Sequence, residues 1–196
     1  HYLTHSTFPI EPGHTALVHA AAGGTGRLIS QMVKLRGGRV IGTAGSREKA
    51  ETARKAGADE VILYREQDIV SEVKRLTDGK GVEVVYDGVG EATFLPSLDC
   101  LKPRGMMITF GNASGPVKAF DPLMLSAKGS LFLTRPTLAH YSSADEVKWR
   151  SSDVLGWILN KKLDLLIERI YPLADAAQAH ADLEGRKTTG KLVLTV

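Results

Sequence analysis

One cysteine, Cys100, stands among 196 residues. A single thiol excludes an intrachain disulfide framework and a cysteine-rich zinc site. The histidines, at positions 1, 5, 14, 19, 140 and 180, show no metal-ligand spacing either. No apolar run reaches the ~18 residues that cross a bilayer, and no signal-peptide pattern opens the sequence. A large charge of one sign is also lacking. The net charge is +3 with a pI near 9.0. No block of Lys and Arg rises above a solvated helix face, so nothing argues for nucleic acid. Together these absences set the expectation of a reducing, cytoplasmic protein with neither membrane nor nucleic-acid partner.

Signals of nucleophilic catalysis are missing too. There is no G-x-S-x-G, Cys100 sits in a helical pattern where burial is expected, and no tyrosine is followed four residues later by lysine. No catalytic residue is therefore assigned.

What is present is ordinary globular composition, 43% hydrophobic and 24% charged, enough for one core with a small appendage. Short apolar runs alternate with helix-period segments. Residues 16–20, 39–44, 60–64, 82–87, 105–111 and 130–134 read as strands. Between them, Leu28, Ile29, Met32, Val33 and Leu35 form one helical stripe, and Ala50, Ala53 and Ala56 a second, with Ser46 as N-cap. Ile69, Val73 and Leu76 form a third stripe, and Phe94, Leu95, Leu98 and Leu101 a fourth. Residues 111–130 read as a loop rich in Gly, Pro and Ser. Continuous apolar strands separated by single helices imply an α/β fold: a doubly wound parallel sheet with helices on both faces. An amphipathic helix around Val154–Leu159 follows, then a strand-like LIERIY, a helix over 174–183 and KLVLTV. The first residues read as a helix end running into a turn at Pro12-Gly13, as in a piece of a longer chain.

The stretch LVHAAAGGTGRLI, residues 17–29, joins the first strand to the first helix. Ala21-Ala22-Gly23-Gly24-Thr25-Gly26 occupies the frame G-x-G-x-x-G, with alanine at the first glycine. The run also suits an ordinary strand–helix turn, but its place in a unit of ~30 residues favours a dinucleotide fingerprint. Gly23 would let backbone approach a diphosphate, Gly26 would let helix and strand pack closely, and the helix amino end would face the phosphates. Thr25 could add a hydroxyl. No Gly-Lys-Ser/Thr ends the run, which excludes a Walker A loop. About 20 residues on, an NAD site wants an acidic side chain. This sequence has Gly45, Ser46, Arg47 and Lys49 around a lone Glu48. That pattern favours NADP over NAD, although Arg47 and Lys49 also suit an exposed first helical turn. His19 reads as a packing residue under the glycine turn.

The motifs HAAAGGTG, YDGVG, LKPRGMMITFGNASG and GSLFLTRPTL resemble the NADPH:quinone oxidoreductases, the zeta-crystallin branch of the medium-chain dehydrogenase/reductase superfamily. The likeness runs nearly end to end. It implies a Rossmann domain over 1–164, with 1–14 an interdomain helix end and linker, and a return segment over 165–196. That segment rejoins an N-terminal GroES-like catalytic domain absent from these residues. It implies no zinc. It implies that Gly23, Gly24, Thr25 and Gly26 hold the diphosphate, and that Ser46, Lys49, Tyr64 and Arg186 surround the 2′-phosphate. Val89 is counted among the cofactor-binding residues, and Phe110, Gly111, Asn112, Leu133, Thr134 and Arg135 would then lie towards the nicotinamide. Gly88 departs from the serine frequent in the family, and Thr25 from valine. The implied activity is NADPH-dependent reduction of a quinone or other conjugated acceptor, with turnover absent from these residues alone. The alternatives are an enoyl reductase domain of a polyketide synthase and a nucleotide-binding protein without turnover. An apolar edge strand over 130–134 implies a homodimer.

Overall fold

The computed structural model describes all residues except Arg186, Lys187 and Thr189. Six strands form one parallel sheet: β1 (Thr15–Val18), β2 (Arg39–Ala44), β3 (Glu60–Leu63), β4 (Val82–Asp87), β5 (Leu101–Thr109) and β6 (Phe132–Thr134). Their spatial order is β3-β2-β1-β4-β5-β6, and every pairing is parallel. The order reverses between β1 and β4, and α/β sheets of this kind open a crevice at the carboxyl ends flanking such a point.

The apolar runs divide by alternation. Ala16, Val18, Val40, Val84, Tyr86 and Ile108 face one core, with Ile29 and Val33 of α1 (Gly24–Leu35) and Ala53 of α2 (Arg47–Lys55). Leu17, Ile41, Val85 and Met107 face the other. There they meet Val73 of α3 (Ile69–Leu76) and Phe94 and Leu98 of α4 (Glu91–Cys100). The period of two inside unbroken hydrophobic runs is what a sheet buried on both faces requires. The amino-terminal segment joins the first core through Leu3 and Ile10, and the Tyr86 hydroxyl donates to Phe8 O at 3.4 Å. Cys100 is buried, which, with Asp99 and Asp68 nearby, pushes its thiol up to about 12.

Several boundaries differ from those the pattern predicts. β1 stops at Val18, because Ala20 turns left-handed with φ +49°. Leu101 leaves the α4 stripe and starts β5 directly after the helix. A bulge between Val82 and Val84 then sets the register of β4 on β5. The loop before β6 contains a short helix, α5 (Leu123–Ala127), too brief to show a period. The later helix is longer than its stripe. α6 (Ala144–Leu159) begins in a capping box, with Ser143 accepting from the Glu146 amide and Glu146 returning to Ser143. The last strands stay out of the main sheet: among the described residues β7 (Ile167–Pro172) pairs in parallel with β8 (Lys191–Thr195) alone, across α7 (Ala176–Glu184).

Gly42 on β2 shows how closely the glycine turn lies on the sheet. A Cβ on Gly42 would sit 2.8 Å from the Ala21 methyl. Gly42→Ala is expected to lower unfolding free energy by ~1–3 kcal/mol, the usual range for overpacking. Adding Ala21→Gly should recover most of that loss, and strict additivity in a urea-unfolding double-mutant cycle would contradict the contact.

Candidate functional site

The turn after β1 is built by backbone. His19 N–H donates to Tyr86 O at 3.0 Å, Ala21 N–H to Thr43 O at 3.1 Å, and Gly23 N–H closes on Ala20 O at 2.9 Å. α1 then begins with no side-chain cap, and its first bond runs from Arg27 N–H to Gly23 O at 2.9 Å. The amides of Gly24, Thr25 and Gly26 therefore have no helical acceptor. Gly24 and Thr25 are exposed, so these donors and the positive end of the helix dipole are open to an anion. Gly26 is buried. A Cβ there would fall inside hard contact with Ala20 O and 2.9 Å from Ala21 Cα. Any side chain would lift α1 off the turn and spoil the cradle. Alanine at the first position of the fingerprint is accommodated because β2 answers it with Gly42.

The β4 end makes the second wall. Asp87 is fully buried, and its Oδ1 accepts Val89 N–H at 2.7 Å and Gly90 N–H at 3.1 Å. Its Oδ2 accepts the Thr93 hydroxyl at 2.7 Å. This carboxylate holds the Gly88-Val89-Gly90 turn in shape. Phe110 N–H bonds to Asp87 O at 2.8 Å, and the Phe110 ring covers Gly88, where a Cβ would lie 2.9 Å from Cε2. A side chain at 88 would require that ring to shift. Arg135, just past β6, donates from Nη1 to Thr109 Oγ1 at 3.1 Å and Gly111 O at 3.4 Å. It thereby ties the Phe110-Gly111-Asn112 loop to Leu133 and Thr134.

The far side lies at the ends of β2 and β3. Ser46 caps α2 by accepting Lys49 N–H at 3.3 Å. Tyr64 is 47% exposed, and its hydroxyl lies over Gly45, where a Cβ would come within 2.6 Å. Arg47 leans outward to Glu66 at 3.6 Å. Among the described residues, the Lys49 ammonium has no recorded ion pair. Gly23 to Gly26, Ser46, Lys49, Tyr64, Val89, Phe110, Gly111, Asn112, Leu133, Thr134 and Arg135 thus all gather along the carboxyl edge of one sheet. Arg186 lies outside the described residues.

Two features escaped the pattern reading. One is Asp87, flagged only by an Asx residue before glycine in YDGVG. The other is Arg27, a charge on the buried stripe of α1. It is 6% exposed; Nη2 donates to Asp164 Oδ2 at 2.9 Å, while Nε and Nη1 have no hydrogen-bond partner among the described residues. Beside it, Gln31 Nε2 donates to Asp164 O at 3.0 Å, and Asp164 N–H returns to Gln31 Oε1 at 2.6 Å. A cavity of about 380 Å³ separates the amino end of α1 from the return segment, lined among others by Gly24, Thr25, Arg27, Asp164 and Lys191.

Open helix amides at a switch point, with a walled turn on one side and a basic, hydroxyl-bearing rim on the other, define a dinucleotide-binding α/β domain. The chain belongs to the zinc-binding dehydrogenase family, whose family model matches residues 24–148. It is 45% identical over 197 aligned residues to quinone oxidoreductase 1 of Escherichia coli, covering 99% of this chain and 60% of that protein. It is 43% identical to a 2-haloacrylate reductase of a Burkholderia species, covering 98% of this chain and 59% of that protein. The crystal structure of Escherichia coli quinone oxidoreductase complexed with NADPH superposes with a TM-score of 0.95 at 43% identity, covering all of this chain and 61% of that one. The chain therefore spans about 60% of the length of these relatives. Among the described residues, no three His, Cys, Asp or Glu side chains gather as a metal site. No helix among the described residues is long and apolar enough to cross a membrane.

His19 lies fully inside this site. Burial pushes its pKa below the ordinary value, against the attraction of Asp87. The unfolded chain then binds the proton more readily than the folded one, so stability falls as pH drops below ~6.5. His19→Gln should flatten that fall, by up to ~1.4 kcal/mol per pH unit relative to the unaltered chain, in urea unfolding between pH 7 and 5. Parallel curves would show that folding leaves the proton affinity of His19 unchanged.

Proposed function

We propose that this chain is the cofactor-binding part of an NADPH-dependent reductase of quinones or related conjugated carbonyl acceptors. The observation that carries the reading is the tip of β2, where a carboxylate for an unphosphorylated ribose is replaced by Ser46, Lys49 and Tyr64. A 2′-phosphate would meet the Lys49 ammonium, the Ser46 hydroxyl and the Tyr64 edge. The Gly24, Thr25 and Gly26 amides would hold the diphosphate, with Arg27 adding positive potential from beneath. The Gly88–Gly90 turn, Phe110 to Asn112 and Leu133 to Arg135 would orient the remainder of the cofactor and keep water from one side of it. Bound NADPH supplies the hydride; the residues described here bind, orient and exclude solvent. No step is routed through zinc. The names of the relatives, two quinone oxidoreductases and a 2-haloacrylate reductase, support an electron-poor conjugated acceptor, and the cytoplasm suits such chemistry.

We also read residues 1–164 as one domain and 165–196 as a segment that completes another. Ile167 and Ile170 on β7 and Leu194 on β8 are exposed in a two-stranded sheet that has no third strand among the described residues. Such a sheet is too small to be stable by itself.

A second copy of this chain is the partner proposed for β6. Among the described residues the strand pairs only with β5; its Phe132 is 56% exposed, and Leu123 and Leu138, on the segments flanking it in sequence, are both more than half exposed. An apolar edge with free backbone groups favours antiparallel pairing across a twofold axis.

Two outcomes follow. In the intact protein carrying these residues, Lys49→Ala should weaken NADPH at least ~10-fold, which is ~1.4 kcal/mol, and leave NADH unchanged by calorimetry. Equal affinity of the unaltered protein for both cofactors would remove the 2′-phosphate assignment. Small-angle scattering should give a dimer that Phe132→Lys converts to monomer, and a monodisperse monomer before substitution would rule out the β6 pairing.

A further inference from the structure

A buried polar relay connects the two turns that wall the site. Its centre is His19. The ring Nδ1 lies 3.1 Å from Thr43 Oγ1, and Nε2 lies 2.9 Å from Ser97 Oγ. The neighbours dictate the direction of each bond. Ser97 donates its one hydroxyl proton to Thr93 O at 2.6 Å, so Ser97 Oγ accepts from His19 and the ring proton sits on Nε2. Nδ1 is then a lone pair that accepts the Thr43 hydroxyl proton. Thr43 Oγ1 in turn accepts the Ala20 amide at 3.2 Å. On the other side, Thr93 continues the line through its hydroxyl to Asp87 Oδ2, while Asp87 Oδ1 gathers the amides of Val89 and Gly90. Every hydrogen of the neutral relay has one acceptor. A second ring proton would point at Thr43 Oγ1, which already receives Ala20, and leave the Thr43 hydroxyl without its acceptor on the ring.

We propose, resting on the NADPH reading above, that His19 is a positioning residue that locks the diphosphate turn at Ala20 to the Asp87 turn beneath the nicotinamide half. Packing alone does not require this arrangement: an apolar side chain could fill the space without joining β2 to α4. A fully satisfied buried network is rigid, and two walls held in one register spare the ligand the entropy of ordering them. A ligand that touches only the adenosine side has no use for the link through Ser97. One that spans both walls does.

The test compares NADPH with adenosine 2′,5′-bisphosphate, which carries the 2′-phosphate and a 5′-phosphate but lacks the nicotinamide half. Calorimetry on the intact protein with Ser97→Ala should show a loss of about 5- to 10-fold for NADPH and less than 2-fold for the bisphosphate. Ser97→Cys, nearly isosteric but a weaker acceptor, should fall between Ser97→Ala and the unaltered protein. Thr43→Val strips the bond from the diphosphate turn itself and should weaken both ligands. Long-range proton–nitrogen spectra should show an exchange-protected Nε2 proton on His19 and a bare Nδ1, with the protection lost in Ser97→Ala. Equal losses for both ligands in Ser97→Ala, or no loss in either, overturn the proposal while leaving the NADPH reading intact. Failure of the unaltered protein to bind either ligand overturns both.

Discussion

Close approach of backbone to backbone governs this site. The turn at Ala20 to Gly26 lies so near its own helix and the neighbouring strand that a methyl group at Gly26 or Gly42 has no room. That contact seats α1 with its amino end at the carboxyl edge of the sheet. There the amides of Gly24, Thr25 and Gly26 lack helical acceptors and face the positive end of the helix dipole. A looser turn would still connect β1 to α1, but the donors would no longer converge on one point. The left-handed Ala20 belongs to the same constraint: the chain must reverse before the helix can begin.

Around that point the charge distribution is uneven. On the β2 side the side chains are hydroxyl-bearing or cationic. On the β4 side a buried carboxylate, Asp87, faces inward and is consumed by the amides and hydroxyl that shape its own turn. The donors that Asp87 accepts offset part of its negative potential at the site. Arg27 is the converse case. Its guanidinium is buried below the helix start, with Nη2 on Asp164 and the other two nitrogens unpartnered among the described residues. Buried unsatisfied donors are costly, and their position beside the cavity between α1 and the return segment links the cradle to the chain that crosses it.

Much of the architecture was legible because the apolar runs are long relative to the turns. Six strands with single intervening helices admit few topologies once crossovers must be right-handed. The glycine fingerprint needed only its neighbours to be meaningful. The gaps have specific causes. α5 is five residues long, little more than one helical turn and too short to show a repeat. Leu101 continues the spacing of α4 but is drawn into β5, since pairing with Val82 outweighs one more helical residue. Gly42 looks like an ordinary strand glycine until Ala21 is seen opposite it. Arg27 breaks its helical stripe in a way that sequence alone reads as noise.

Local chemistry by itself determined the class of fold, the place of the phosphate-type turn, the absence of an acidic residue at the tip of the second strand and the burial of Cys100 and His19. Those properties depend on composition and on spacing within a few residues. Only the tertiary structure decided that Phe110 fills the space over Gly88, that Gly42 makes room for Ala21, and that Thr43, His19 and Ser97 meet in one line. Each joins residues 21 to 78 positions apart, and periodicity carries no information about which side chains a parallel sheet will bring opposite one another.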